Sequence, residues 1–336
     1  MFKDINKIVI LSGGSGNDAI LEALIKYGKY SDKNINIIVN AYDDGKSTGV
    51  CREVTNTLGV SDIRKNHEKL YKMLHRDNTD ELDSFLLNLY SNRLDIDSNY
   101  RTGHPIFDNY IKRFFDRSQS KFFEYKNFNV MNIIYSQLYS EVGYEQTNAM
   151  FSQILNMEDI VHLNSFDNLK LIASTKSGHI ITDEGDLVEW CNFDDKIESI
   201  DFGGKRFFGL NQKVIDLIDE ADLIIISSGT FWSSLYPTLA YDKFYEYINK
   251  SKAKKLWIVN SSEDKDTWGV SSPEFYHFLW RLGLQISNFD VLMNLDSDIL
   301  LHDSYHIPRY IKEHLGNING KHNSEKLYKA LDNLYG

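Results

Sequence analysis

A chain of 336 residues with 42% hydrophobic and 25% charged side chains can bury a sizeable core, which excludes intrinsic disorder and leaves room for one large α/β domain with an insertion. The net charge of −11 comes without a basic stripe, so nucleic acid is not an expected partner. The cysteines, Cys51 and Cys191, have no disulfide or metal spacing, and no apolar run reaches the roughly 20 residues of a membrane span; a cytoplasmic protein with no membrane partner is expected.

Lys7–Leu11 is a β-branched apolar run, the pattern of a buried parallel strand. Ser12-Gly13-Gly14-Ser15-Gly16 ends it. Asn17–Tyr27 then places Ala19, Ile20, Ala23, Leu24 and Tyr27 at helical spacing. Ile35–Asn40 reads as a second strand running into the polar loop Tyr42-Asp43-Asp44-Gly45. This strand–helix–strand opening predicts a right-handed crossover at the start of a doubly wound sheet.

From Ile63 to about Met157 apolar residues recur at threes and fours, as in Glu68–Leu74, Leu82–Tyr90, Ile106–Phe115 and Val130–Tyr139. Residues 63–157 are therefore expected to form a mainly helical insertion or cap inside a single domain spanning 1–336. Strands are expected again at Ile160–Leu163 and Leu169–Ser174, with a hairpin through Gly178 and a turn at Gly185. Leu223–Ile226, Leu256–Val259 and Val291–Leu295 read as further strands. Helices are expected near Ser233–Tyr247, over Pro273–Leu284, over Tyr310–Leu315 and over Glu325–Leu334. The fold class is α/β, a Rossmann-like, doubly wound, mostly parallel sheet fed by both ends of the chain.

Three segments carry the chemistry. Gly14-Ser15-Gly16-Asn17-Asp18-Ala19 matches G-x-G-x-x-A between a strand and a helix, where glycines admit a ligand to the backbone and free N–H groups face an anion. A dinucleotide is disfavoured. Its ribose-binding acid should follow about 20 residues on, and Asp43, the first acid after the second strand, lies beyond that. Asp43-Asp44-Gly45-Lys46-Ser47-Thr48-Gly49 ends like a P-loop, but Asn40 stands where that motif needs glycine and the segment follows the second strand, so the match is rejected. Adjacent carboxylates at a strand's C-terminal end instead suit a hard divalent cation such as Mg2+; the alternative is a solvated Asp-Asp-Gly turn.

Ser61-Asp62-Ile63-Arg64 adds a carboxylate and a cation, with helix capping as the competing reading. Gly103-His104-Pro105, followed by Asp108-Asn109, is a loop-to-helix entry in which His104 and Asn109 are minor candidates. Ser228-Gly229-Thr230 with Ser233-Ser234 follows a buried strand, where small hydroxylated residues can wrap a phosphate. His302-Asp303 and the scatter of His306, Arg309 and His314 have no catalytic or metal spacing.

Taken in order, these segments resemble the 2-phospho-L-lactate transferase and gluconeogenesis-factor (CofD/YvcK-like) family. Gly13-Gly14-Ser15-Gly16 is similar to its opening glycine loop, Asp43–Gly49 to its Asp-Asp-Gly-Gly-Ser-Ser-Gly segment, and Ser61-Asp62-Ile63-Arg64 to its Gly-Asp-Ile-Arg. Gly103–Asn109 resembles Gly-His-x-Phe-Gly-Asn with one extra residue, and Ser228–Ser234 through Pro237 its Gly-Pro-Gly-Ser segment. His302-Asp303 is similar to a C-terminal His-Asp pair. Asp183-Glu184-Gly185 matches the transferase branch, without the Phe-Gln that follows there.

The resemblance implies a Mg2+-dependent transferase moving a phosphoester group from a nucleotide diphosphate derivative to an alcohol acceptor. Asp43, Asp44 and Asp62 would hold the metal. Gly13, Gly14, Ser15, Gly16, Ser47, Gly229, Thr230, Ser233 and Ser234 would bind the nucleotide and its phosphates. Arg64 or Lys46 would offset charge on the leaving phosphate. The alternative it implies is a nucleotide-sugar-binding regulator without turnover. A homodimer is the default expectation for such enzymes.

Overall fold

The computed structural model describes residues 2–75, 80–94, 100–118, 125, 127–297, 299, 310–316 and 319–336. Its strands are β1 (Ile8–Leu11), β2 (Ile35–Val39), β3 (Val161–Leu163), β4 (Lys170–Thr175), β5 (Ile180–Ile181), β6 (Ile197–Gly203), β7 (Leu223–Ile226), β8 (Lys254–Ile258), β9 (Asp290–Asn294) and β10 (Tyr310–Glu313). Seven of them form one wholly parallel sheet in the order β10-β9-β8-β7-β1-β2-β3. The two central strands, IVIL and LIII, are buried at every position, as strands covered by helices on both faces must be.

Strand order decides where a ligand can enter. From β1 the chain steps outwards through β2 to β3, then returns to β1's other side with β7 and steps outwards again to β10. The reversal between β1 and β7 opens a crevice at their carboxyl ends, the topological switch point of a doubly wound sheet.

The helices are α1 (Asp18–Glu22, continued by a π turn over Ala23–Tyr27), α2 (Lys46–Thr55), α3 (Ser61–Leu74), α4 (Glu81–Ser91), α5 (Pro105–Ser118), α6 (Val130–Val142), α7 (Tyr144–Ile154) and α8 (Glu184–Glu189), followed by α9 (Gln212–Glu220), α10 (Tyr236–Ala240), α11 (Phe244–Lys250), α12 (Ser272–Leu282) and α13 (Ser324–Tyr335). Between β2 and β3 the chain is helical, with α6 packed against α2, α3, α4, α5 and α7. Every residue from Val130 to Tyr139 is buried, so α6 is an all-round core helix. Asn129 caps it, its side chain accepting from the amides of Met131 and Asn132.

Two local expectations are corrected. Tyr310–Leu315 is not a helix: Tyr310–Glu313 is the edge strand β10, paired parallel to β9. A segment this short carries too little periodicity to separate helix from strand. The polar loop Tyr42-Asp43-Asp44-Gly45 ends at Gly45 as read from the sequence, and Lys46-Ser47-Thr48-Gly49 is the first turn of α2. Gly185 is not a turn between strands but lies in the first turn of α8, capped by the Asp183 side chain accepting from the Asp186 amide. The hairpin through Gly178 (φ +86°) does form, joining β4 to β5. With the unanticipated β6 these make a small antiparallel sheet, β5-β4-β6, carrying α8.

Candidate functional site

Two glycine loops interlock at the switch point. After β1, Gly16 lies so close to the loop after β7 that a Cβ on it would stand 1.6 Å from the Ser228 carbonyl oxygen. The Ser228 hydroxyl in turn donates to the Gly16 carbonyl at 2.9 Å. Asn260, just beyond β8, clasps the second loop from behind: its Oδ1 accepts from the Gly229 amide (3.1 Å) and its Nδ2 donates to the Gly229 carbonyl (3.0 Å). Thr230 starts a π turn whose hydroxyls form a relay, Ser233 to Thr230 at 2.9 Å and Thr230 with Ser234 at 2.8 Å.

A cleft of about 280 Å3 opens in front of these loops. Gly14, Ser15, Ser47, Asp43, Asp62, Arg64, Thr230, Ser233 and Ser234 line it, so residues far apart in the sequence converge. Asp43 comes from the loop after β2, and Asp62 from the first turn of α3. Gly14 and Gly13 leave room for Asp62: a Cβ on Gly14 would meet its Oδ1 at 2.4 Å, and one on Gly13 would lie 3.6 Å from its Oδ2.

A third carboxylate arrives from the small sheet. Glu184, at the start of α8, lines the same cleft and lies over the Asp43 loop, where a Cβ on Gly45 would be 2.2 Å from its Oε2. The three acids crowd one another. Burial, then the charge of Asp62, pushes the Asp43 carboxyl up to about 6. Burial, then the charges of Asp43, Asp62 and Asp44, pushes Glu184 up to about 9. The compensation present is modest: Lys65 Nζ is 3.8 Å from Asp62 Oδ1, and half-exposed.

Arg64 is buried and already engaged. Its Nε donates to Asn132 Oδ1 (2.9 Å) and its Nη1 to Glu68 Oε2 (2.9 Å). Asn132 also donates to the Ser47 hydroxyl at 3.2 Å, so the helical insertion ties the starts of α2 and α3 together beneath the cleft. Arg93 adds an exposed cation to the lining.

Several expected residues stand elsewhere. Asp44 does not line the cleft; its Oδ2 lies 3.4 Å from Lys170 Nζ, so the carboxylates brought together are Asp43, Asp62 and Glu184 rather than Asp43, Asp44 and Asp62. Lys46 is the first residue of α2, outside the acidic loop. His104 is exposed with its ring against Phe107 (5.0 Å) and Phe85 (6.0 Å), and exposed Asn109 sits on α5; neither reaches the cleft. Gly16 and Gly229 line an adjoining cavity of about 220 Å3, which shares Ser15 and Thr230 with the cleft. His302, Asp303, His306 and Arg309 lie outside the described residues.

Of the residues missed, Glu184 had a signal in the Asp-Glu-Gly triplet. Lys65, Arg93, Asn132 and Asn260 had none, because only packing turns them towards the loops.

A family profile described as 2-phospho-L-lactate transferase CofD matches residues 8–273. The chain belongs to that family. A Thermoanaerobacterium thermosulfurigenes relative is 26% identical over 293 residues, 86% of this chain and 78% of its own length. The gluconeogenesis factor of Bacillus subtilis (strain 168) is 25% identical over 255 residues, covering 76% of this chain and 67% of that protein. A crystal structure of a UPF0052 family protein from Bacillus halodurans shares the fold, with a TM-score of 0.74 at 19% identity over 98% of this chain and 99% of its own. In this CofD-family chain both glycine loops and the cleft carboxylates Asp43, Asp62 and Glu184 fall within the matched span.

Among the described residues no three His, Cys, Asp or Glu side chains form a group that could hold a metal by themselves. Mg2+ is usually bound by one or two carboxylates together with substrate phosphates rather than by an all-protein cage. Hard oxygen donors whose mutual repulsion a cation would relieve fit an ion brought in with a diphosphate.

Proposed function

We propose that the protein is a transferase that moves a phosphoester group from a nucleoside diphosphate-type donor to an alcohol acceptor, with Mg2+. The observation that carries this reading is the convergence of Asp43, Asp62 and Glu184 on a glycine- and hydroxyl-lined crevice at the sheet's switch point. In the reaction the acceptor hydroxyl oxygen forms a bond to phosphorus and gives up its proton to solvent, the diphosphate P–O bond breaks, and a nucleoside monophosphate leaves with that bond's electron pair. Such transfer is mainly positioning and charge neutralisation.

The backbone at Gly14–Gly16 and the Thr230–Ser234 turn would cradle the diphosphate, with the nucleoside in the adjoining cavity. Carboxylates from the Asp43, Asp62 and Glu184 cluster would hold Mg2+ together with the donor's phosphates, whose charge the ion would neutralise. Lys65 is the half-exposed cation suited to the leaving phosphate, and Arg64, bonded to Asn132 and Glu68, fixes the floor and adds positive potential. The test is Asp62→Asn, expected to fold normally and lose metal-dependent turnover. Full activity in that variant would refute the assignment.

A second reading, a nucleotide-sugar-binding regulator without turnover, is favoured by the name of the Bacillus subtilis relative, a gluconeogenesis factor. Thermal shifts with guanosine and uridine diphosphates and uridine diphosphate sugars, each with and without Mg2+, separate the two. A Mg2+-dependent shift with a nucleoside diphosphate supports the transferase; a metal-independent shift with a sugar nucleotide supports the regulator.

A further inference from the structure

A second groove lies at the far end of α2. Gly45, Ser47 and Thr48 at the start of this helix line the cleft, whereas Asn56, its left-handed C-cap (φ 53°), and Leu58 line the groove. The helix has 10 residues, so its ends stand about 15 Å apart, and the two sites share no lining residue. The groove holds about 560 Å3, within the range of small-molecule sites.

Its lining is built from aromatic rings held in place. Tyr139 and Tyr144 meet edge to face at 5.5 Å, and Tyr144 and Phe166 lie 5.2 Å apart. The Tyr144 hydroxyl donates to the Val161 carbonyl (3.1 Å) and accepts from the Leu163 amide and Asn148 Nδ2 (both 2.9 Å), which locks the ring. Phe208 joins from a separate loop with its side chain 70% exposed. Its backbone is nevertheless pinned: the buried Asp167 carboxylate accepts from the amides of Phe207 (2.6 Å), Phe208 (3.0 Å) and Gly209 (3.0 Å), and from the Tyr241 hydroxyl. A solvated ring on a pinned backbone, beside locked aromatic rings, is a preorganised apolar contact surface.

Polarity narrows the ligand. Asn168 Oδ1 accepts from Arg52 at 2.6 Å, which orients the amide and leaves its NH2 as a donor. Among the described residues no lysine or arginine lines the groove, and Glu145 does, so an anion would find no counter-charge from them there. We propose that this groove binds a neutral, planar, fused-ring aromatic molecule carrying a carbonyl acceptor for Asn168. The inference stands whether or not the cleft is a transferase site.

The test uses quinolin-2-one as probe, with saturation-transfer NMR for binding and a soaked crystal for location. The expected result is density against Phe208 and Tyr144, with affinity weakened about tenfold in Phe208→Ala, the loss of one aromatic face. Val142→Arg, at a half-exposed lining position, is expected to abolish binding while circular dichroism stays native. Absence of a signal at millimolar probe, equal binding by both variants, or density in the main cleft alone would each overturn the proposal.

Discussion

Two glycines two residues apart should respond to the same substitution in opposite ways. In Gly16→Ala the new Cβ would meet backbone, 1.6 Å from the Ser228 carbonyl oxygen and 2.5 Å from the Gly229 Cα. Carbon and oxygen do not tolerate less than about 3 Å, so the two loops must separate by at least about 1.4 Å, breaking the Ser228–Gly16 hydrogen bond and displacing the loop that Asn260 clasps. That overpacking is worth about 3 kcal/mol of lost stability. In Gly14→Ala the Cβ meets the ends of flexible side chains, Asp62 Oδ1 at 2.4 Å and Lys65 Cδ at 2.4 Å. These can swing aside, so stability should change by less than about 1 kcal/mol. The Asp62 carboxylate, however, must leave its place. Urea unfolding measures the first effect, and the thermal shift produced by a nucleoside diphosphate with Mg2+ measures the second. A native-like unfolding midpoint in Gly16→Ala, or an undiminished ligand shift in Gly14→Ala, would refute this reasoning.

The crowded acids also set a pH dependence. The folded chain holds protons on Glu184 up to about pH 9 and on Asp43 up to about pH 6, which the unfolded chain releases near its ordinary carboxylate values. Their contribution is therefore fully present below those ordinary values and is lost as pH rises through the folded ones. Glu184→Gln should match the native chain at about pH 4 and melt higher than it at about pH 8, and Mg2+, but not an equal ionic strength of NaCl, should flatten the native chain's decline. Asn132→Ala should leave the buried Arg64 Nε without its acceptor, costing about 1–3 kcal/mol in urea unfolding and raising KM for the donor through the freed Ser47. Asp167→Asn should cost about 2–3 kcal/mol, because an amide cannot replace the second acceptor oxygen of the carboxylate that holds Phe207, Phe208, Gly209 and Tyr241. An Asn variant as stable as the native chain would show that the loop is held by other contacts.

Local residue order is enough to place the central layer. Lys7–Leu11, Ile35–Asn40 and Leu223–Ile226 are runs too apolar for a solvent-facing strand, and glycine or small residues follow at the points where the chain must turn into a helix, so the parallel sheet and its two glycine loops were legible in local order. Asp43 was legible as a carboxylate beyond the carboxyl end of an apolar run, and Asp62 as one at the entry to a helical run, where helix capping competed with a site role. Tertiary structure alone decided which acids meet. Local order cannot show that Asp44 turns to Lys170 while Glu184, about 140 residues on from Asp43, is delivered over the Asp43 loop by a small antiparallel sheet. Nor could it show Asn132, on a helix buried all round, joining Ser47 to Arg64. Periodicity reports which face of an element is covered; it carries no information about the partner that covers it, and a site assembled from segments so far apart in the chain is set by those partners.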